Sequence, residues 1–247
     1  MTIGWFGSKS MSSGVIYYSD NLIQEPIKSI VQKYILDSGL PIVSCSLKPI
    51  DFGENYVVDK IRGYATMVEQ IMTALEHTKT DIVFFCEHDV LYPKCHFDFM
   101  PPKEEIYYYN ERIWRWAYPR DFAITYDGLG SLSGLCAYTK TVLNHYRGRH
   151  KKIIENGWDK IIEKEPSWAR KMGYEPGTKK IKRGGFSDED FGVWFSDIPI
   201  IDIRHEGTYT RTKVTLDSFK HPPDPSTWKE TTLDKIEGWN LKREFNL

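Results

Sequence analysis

The chain has 247 residues and a mass of 28.9 kDa, and its 33 Lys+Arg and 34 Asp+Glu leave a formal charge of -1. No window holds about 18 consecutive apolar residues, which excludes a membrane-spanning helix. The balanced charge excludes a globally basic nucleic-acid binder but leaves local basic patches open, and the 14% aromatic content argues against disorder. The opening MTIGWFGSKS has no basic stretch leading into an apolar one, so no signal peptide is expected and a cytoplasmic location is. The cysteines Cys45, Cys86, Cys95 and Cys136 form no CxxC pair and read as reduced and structural. With no internal repeat and no convincing linker, one domain is expected over 1–247, with an N-terminal lead over 1–14 and a tail over 220–247.

The first apolar run, Val15 to Tyr18, reads as a buried strand that ends in Ser19 and Asp20. Ile23, Ile27, Ile30, Val31 and Tyr34 then fall at helical spacing between Leu22 and Leu36, and Gly39 stands just past the end. Pro41 to Cys45 is a second strand, Gly63 to Thr78 a second helix, and Asp81 to Cys86 the most strand-like run of all. This β-α-β-α-β alternation predicts an α/β fold, a mostly parallel sheet flanked by helices, with ligands at the C-terminal strand ends. The middle is less regular. Aromatics crowd Tyr107 to Phe122, a strand is expected over Leu132 to Tyr138, and a helix over Thr139 to Asn156 carries the basic run Arg147 to Lys152. A polar, basic loop is expected over Arg170 to Gly185, a short helix over Asp188 to Ser196, and a strand over Ile198 to Ile203.

Three segments carry chemistry. Phe84-Phe85-Cys86-Glu87-His88-Asp89 runs an apolar strand into two acids one residue apart, a pattern that suits hard dications such as Mg²⁺ or Mn²⁺ and equally reads as a polar turn. Gly184-Gly185-Phe186-Ser187-Asp188-Glu189-Asp190 places three acids after paired glycines; helix capping accounts for one or two of the acids but not for the glycines. Asp202-Ile203-Arg204-His205 ends a strand with a carboxylate and an imidazole that can face one ion. There is no Walker A loop, no GxSxG elbow and no zincin spacing, and Gly128-Leu129-Gly130 misses the dinucleotide fingerprint.

In this order the three segments resemble nucleotide-sugar glycosyltransferases of the GT-A fold, in particular the β1,4-galactosyltransferase-like and glycosyltransferase family 2-like groups. Glu87-His88-Asp89 stands where that family carries its D-x-D metal motif, Glu189-Asp190 where it carries the catalytic base, and Ile203-Arg204-His205 where it carries a metal-binding His. The chain departs from the pattern in three places. The first acid of the metal motif is Glu, Asp188 stands as a rival to Asp190, and Asp202 occupies the position of a Met ligand. The secretory membrane anchor and disulfides of the family's animal enzymes are not expected here, which points to a bacterial or viral relative acting in the cytoplasm.

The resemblance implies inverting transfer of a hexose from a nucleotide-diphosphate sugar, a UDP-sugar first, to a hydroxyl acceptor. Asp89 and His205, with Glu87 and Asp202, would hold Mn²⁺ or Mg²⁺; Asp190 would take the acceptor proton, with Glu189 and Asp188 beside it. Ser19, Asp20, Ser44, Ser46, Arg62 and His88 are expected on the donor, and the aromatics Tyr109, Trp114 and Trp116 read either as a stacking platform for the acceptor or as core. The basic runs Arg147–Lys152 and Lys179–Arg183 leave open a DNA acceptor, as in phage enzymes that glycosylate hydroxymethylated bases, and equally an ordinary glycan. Two other functions fit the same residues: a metal-dependent nucleotidyl or phosphoryl transferase, and a non-catalytic nucleotide- or nucleic-acid-binding protein.

Overall fold

The computed structural model describes residues 11–161, 168–169, 175–177, 190–208 and 212–247. Twelve strands fall among them: β1 Ser13–Ser19, β2 Ile42–Ser46, β3 Glu54–Val57, β4 Ile82–Glu87, β5 Val90–Leu91, β6 Tyr107–Asn110, β7 Ile113–Trp116, β8 Ala123–Thr125, β9 Leu135–Tyr138, β10 Phe191–Trp194, β11 Ile200–Ile203 and β12 Lys229–Thr231. The long helices are α1 Ile27–Leu36, α2 Tyr64–His77 and α3 Thr139–Glu155. None of the described helices is long and apolar enough to cross a membrane.

The larger sheet has the order β10-β6-β9-β4-β1-β2-β3. β1, β2, β3 and β4 are mutually parallel, β9 alone runs against its neighbours, and β10 is parallel to β6. This is the expected α/β architecture. Side-chain alternation divides its core in two. Val15 and Tyr17 of β1, with Ile82, Phe84 and Cys86 of β4, face α1, which buries Ile27, Val31 and Ile35 at one-turn spacing. Ile16, Tyr18, Val83 and Phe85 face the other way, toward α2 and α3. From Ile82 to Cys86 every residue of β4 is fully buried, at about 1.5–3 kcal/mol for each large apolar side chain.

The smaller sheet, β12-β8-β7-β11-β5, is mixed and packs over the α1 side. The chain leaves β4 at Glu87, turns through His88 and Asp89, and enters β5, so this turn lies where the two sheets meet. β11 pairs antiparallel with β5, Asp202 opposite Val90, and the Ile203 amide donates to the Asp89 carbonyl at 2.9 Å. That pairing carries His205, far along the chain, to the turn.

Two expectations change here. The residues read as a short helix over Asp188–Ser196 form, where described, the edge strand β10; Gly192 lies flat against the Tyr108 ring, and a Cβ there would come within 2.6 Å of it. The aromatic belt forms two strands, β6 and β7, and lies largely in the core, the second of its two readings. The basic run also differs from an open cationic face. α3 buries Val142, Tyr146, Arg149 and Ile153, so Arg149 points inward and binds Glu175, with its Nη2 donating to the Tyr64 hydroxyl at 2.6 Å. Arg147 pairs with Glu76 at 3.0 Å and Lys151 with Glu155 at 3.7 Å. The Lys179–Arg183 run, and the Arg170–Gly185 loop apart from 175–177, lie outside the described residues.

Candidate metal centre

The parallel register aligns the strand ends. Ser19 of β1 lies opposite Ser46 of β2, and Tyr18 opposite Glu87 of β4. Beyond this edge His88, Asp89 and His205 offer ligand atoms that all lie within 4.8 Å of one another. His205 Nε2 and Asp89 Oδ2 are 3.7 Å apart, with both side chains about 10% exposed. That is too long for a hydrogen bond, yet both atoms can ligate one ion at about 2.1 Å from each. The His205 Nε2 is buried and has no hydrogen-bond partner. The ring's Nδ1 accepts the Gly207 amide at 3.2 Å, which in a neutral ring puts the proton on Nε2, so Nε2 would ligate a divalent ion only with the Gly207 contact released; one carboxylate and two imidazoles otherwise make a donor set that fits such an ion.

The electrostatics agree. Burial alone would raise the Asp89 carboxyl, but the His205 ring, His88 and Arg204 hold it below its ordinary value, so it stays anionic. His205 sits on a tight turn: its amide donates to Thr208 Oγ1 at 2.9 Å, and the Thr208 amide returns to the His205 carbonyl at 3.1 Å.

Glu87 does not join this group. Alternation along β4 turns it to the α2 side, where the Tyr18 hydroxyl donates to its Oε1 at 2.7 Å. Burial, then the nearby Asp89 charge, push it up to about 7. Asp202 is also engaged elsewhere. Directly opposite Arg115 in the β7–β11 ladder, its Oδ2 accepts from Arg115 Nε at 3.1 Å and from Arg204 Nε and Nη2 at 3.0 and 2.5 Å. Two guanidiniums thus take the oxygen expected to serve an ion.

Among the residues expected on the donor, Ser19, Asp20 and Arg62 gather around His88. Ser19 Oγ lies 2.9 Å from His88 Nδ1, and Arg62 Nε pairs with Asp20 Oδ2 at 2.6 Å. Ser44 is not on this surface. It is fully buried, donates to the Phe52 carbonyl at 2.6 Å and accepts from Asn55 Nδ2, which also bonds Ser46 Oγ. Both serines therefore brace β2 against β3. Of the acceptor aromatics, Trp116 and Tyr109 are buried, the first against Phe245 and Tyr118 and the second bonded through its hydroxyl to the Pro176 carbonyl. Trp114 alone is partly exposed.

Asp190 stands at the entry to β10. The register sets Phe191 opposite Tyr107 and, through β9, level with Val83. Asp190 is thus at the end of the sheet where the parallel strands begin. The level of Glu87 is five residue rises away, roughly 17 Å at about 3.3 Å each. The strand that replaced the expected helix therefore separates Asp190 from the histidines. Asp188 and Glu189 lie outside the described residues. Sequence reasoning missed the supports: Asn21, whose Oδ1 takes the Leu47 and Lys48 amides, and Gln70, whose Nε2 donates to the Ser19 carbonyl at 2.8 Å. Both are single amides with no periodic signal; their only mark is a place after a strand or on an inward helix face.

No family model matches the chain, and no curated protein does. Among solved structures, it is similar to a glycosyltransferase involved in the glycosylation of the major capsid of PBCV-1, at 10% identity and a TM-score of 0.44, over 80% of this chain and 94% of that one. It is also similar to the glycosyltransferase GlyE of Streptococcus pneumoniae TIGR4, at 12% identity and a TM-score of 0.39, over 74% of this chain and 46% of that one. A third likeness is to TarS 1-349 of S. aureus, at 11% identity and a TM-score of 0.38, over 78% of this chain and 60% of that one. At such distances, what this chain does has to be argued from its own residues.

Proposed function

We propose that the chain is a metal-dependent GT-A glycosyltransferase that moves a hexose, from a UDP-sugar in the first instance, to a hydroxyl of a glycan acceptor. The observation that supports this most is the meeting of His88, Asp89 and His205 at the C-terminal ends of parallel strands, with the His205 Nε2 buried and unbonded. Open α/β sheets bind their ligands at that edge. A dication held by these three side chains, Mn²⁺ or Mg²⁺, would neutralise charge on the departing nucleoside diphosphate, so no proton donor is needed there.

The chain's own residues supply the remainder. Asp89 brings the negative charge of the donor set. Asp202 holds Arg204 and Arg115, which keeps the guanidiniums from closing on Asp89. Trp114 offers a partly exposed ring for a sugar face. Inversion follows from the family resemblance alone, and no base is assigned to Asp190, because of its place at the other end of the sheet.

The test is turnover of UDP-glucose and UDP-galactose with Mn²⁺, followed as UDP release. We expect slow release that EDTA abolishes and that Asp89→Asn and His205→Ala each reduce at least about 100-fold. Release of UMP and a sugar phosphate would instead identify a phosphoryl or nucleotidyl transferase. UDP release that survives EDTA and both substitutions would overturn the proposal.

A further inference from the structure

The geometry points to Ser19, Asp20 and Arg62 as positioning residues that make His88 a metal ligand through its Nε2, rather than as contacts to the donor. The inference rests on the metal-dependent reading above and adds to it an outer support for one ligand.

A neutral imidazole carries one N–H and one lone pair, so its outer nitrogen must hold the proton if Nε2 is to bind an ion. His88 Nδ1 is 2.9 Å from Ser19 Oγ and 3.7 Å from Asp20 Oδ1. The Ser19 oxygen already accepts the Asn21 amide at 3.1 Å, and it keeps a lone pair for an Nδ1–H. The Asp20 carboxylate beside that nitrogen favours the proton there over a bare lone pair. Asp20 is itself engaged on both oxygens: the Leu22 amide donates to Oδ1 at 2.9 Å, and Arg62 Nε forms an ion pair with Oδ2 at 2.6 Å. Arg62 then reaches across the site, its Nη2 donating to the Gly207 carbonyl at 3.1 Å in the turn that carries His205. One guanidinium therefore ties the support of His88 to the loop of His205. Ser19 is 4% exposed and the Asp20 side chain 13%, which leaves them little surface for a diphosphate. Two imidazoles with one carboxylate suit transition dications better than Mg²⁺.

The test uses the full chain without nucleotide and measures binding of MnCl₂, CoCl₂ and MgCl₂ by calorimetry, with the visible absorption of the Co²⁺ form as a signature of the ligand set. We expect Mn²⁺ and Co²⁺ to bind at least about tenfold more tightly than Mg²⁺. Asp20→Asn and Ser19→Ala should each weaken Mn²⁺ by about 10- to 100-fold and shift the Co²⁺ bands, while the metal-free Ser19→Ala protein still melts cooperatively, about 2–10 °C below the parent. Arg62→Lys should recover part of the affinity that Arg62→Ala loses. If Asp89→Asn abolishes Mn²⁺ binding while Asp20→Asn and Ser19→Ala leave both affinity and spectrum as in the parent, the outer support is refuted and the metal site stands. If the parent protein binds none of the three ions, the metal-dependent reading itself falls.

Discussion

Replacing Asp202 by Asn separates a metal ligand from an arginine anchor. In the structure the Asp202 carboxylate is almost fully buried between Arg115 and Arg204, whose side chains are only 11% and 14% exposed. Asn keeps the shape and removes the charge. Two guanidiniums are then left facing each other across a neutral amide, with Glu87 and Asp89 the nearest remaining acids. Removing one partner of a buried ionic group costs about 3–5 kcal/mol, because the charges left behind cannot regain water. For a chain of this size, where 1 kcal/mol moves the midpoint by about 2–4 °C, that is roughly 6–20 °C in melting temperature. Replacing the whole triad, Arg115→Met with Asp202→Leu and Arg204→Met, should recover most of the loss, since well-packed apolar groups need no partner. The assay is thermal and urea melting of the metal-free chain, beside Mn²⁺ calorimetry on the folded protein. An Asp202→Asn protein within about 1 kcal/mol of the parent that has nevertheless lost Mn²⁺ binding would refute the anchor and restore Asp202 as a ligand.

Two further outcomes follow from the same geometry. His96 is fully buried and burial pushes it down to about 3, and burial likewise takes His145 to about 4. The unfolded chain binds protons at both imidazoles below about pH 6.5, while the folded chain does not. Stability is therefore fully present above that pH and falls as pH drops from about 6.5 toward 3. His96 Nδ1 is met by Asn110 Nδ2 at 3.1 Å, so His96→Asn keeps an acceptor there, and it should flatten the acid limb of a melting-temperature series; an unchanged slope would refute the assignment. A Cβ on Gly207 would meet His205 Cε1 at 3.0 Å, so Gly207→Ala should displace the ring by a few tenths of an ångström. It should weaken Mn²⁺ several-fold in calorimetry and leave the metal-free melt in place; parent-like affinity would show that the ring position does not matter.

The parallel half of the fold is local in origin, and it was legible for that reason. β1, β2 and β4 are apolar runs, and α1, α2 and α3 follow from helical spacing to within a few residues, although α1 begins at Ile27 rather than Leu22. β3, β5, β8 and β12 are two to four residues long, too short to show a period, and β5 and β12 pair only with strands far off in the chain, β11 and β8, so no window of sequence contains the contacts that make them strands. β6 is buried on every residue and shows no alternation. The Asp190 segment failed in the same way, since three acids signal a helix start while pairing with the tyrosines of β6 decides the strand. At the site, residue types were readable and their partners were not. Asp89 and His205 stand out as a strand-end acid and imidazole. That Asp202 faces Arg115, or that Ser44 faces Asn55, depends on which strands lie side by side.

The charge balance takes on a different sense once partners are known. A sum of -1 over 67 charged residues reads in sequence as opposed patches, acids at the strand ends and bases on the helix of Arg147 to Lys152. In the structure three bases of that helix meet acids at short range: Arg147 meets Glu76 on α2, Lys151 meets Glu155 one turn on, and Arg149 is drawn into the core by Glu175. Exposed pairs such as the first two are worth about 1 kcal/mol or less, but they still lower the local potential that would draw a polyanion. A polynucleotide gains affinity from each cation that releases counterions from its phosphates, and cations already balanced by neighbouring carboxylates contribute less to that release. The acids at the strand ends differ. Asp89 has two imidazoles for neighbours, one with its Nε2 unbonded, and a shared dication would satisfy all three at once. The charges of this chain therefore favour a single cation at the strand ends over an anionic polymer along α3.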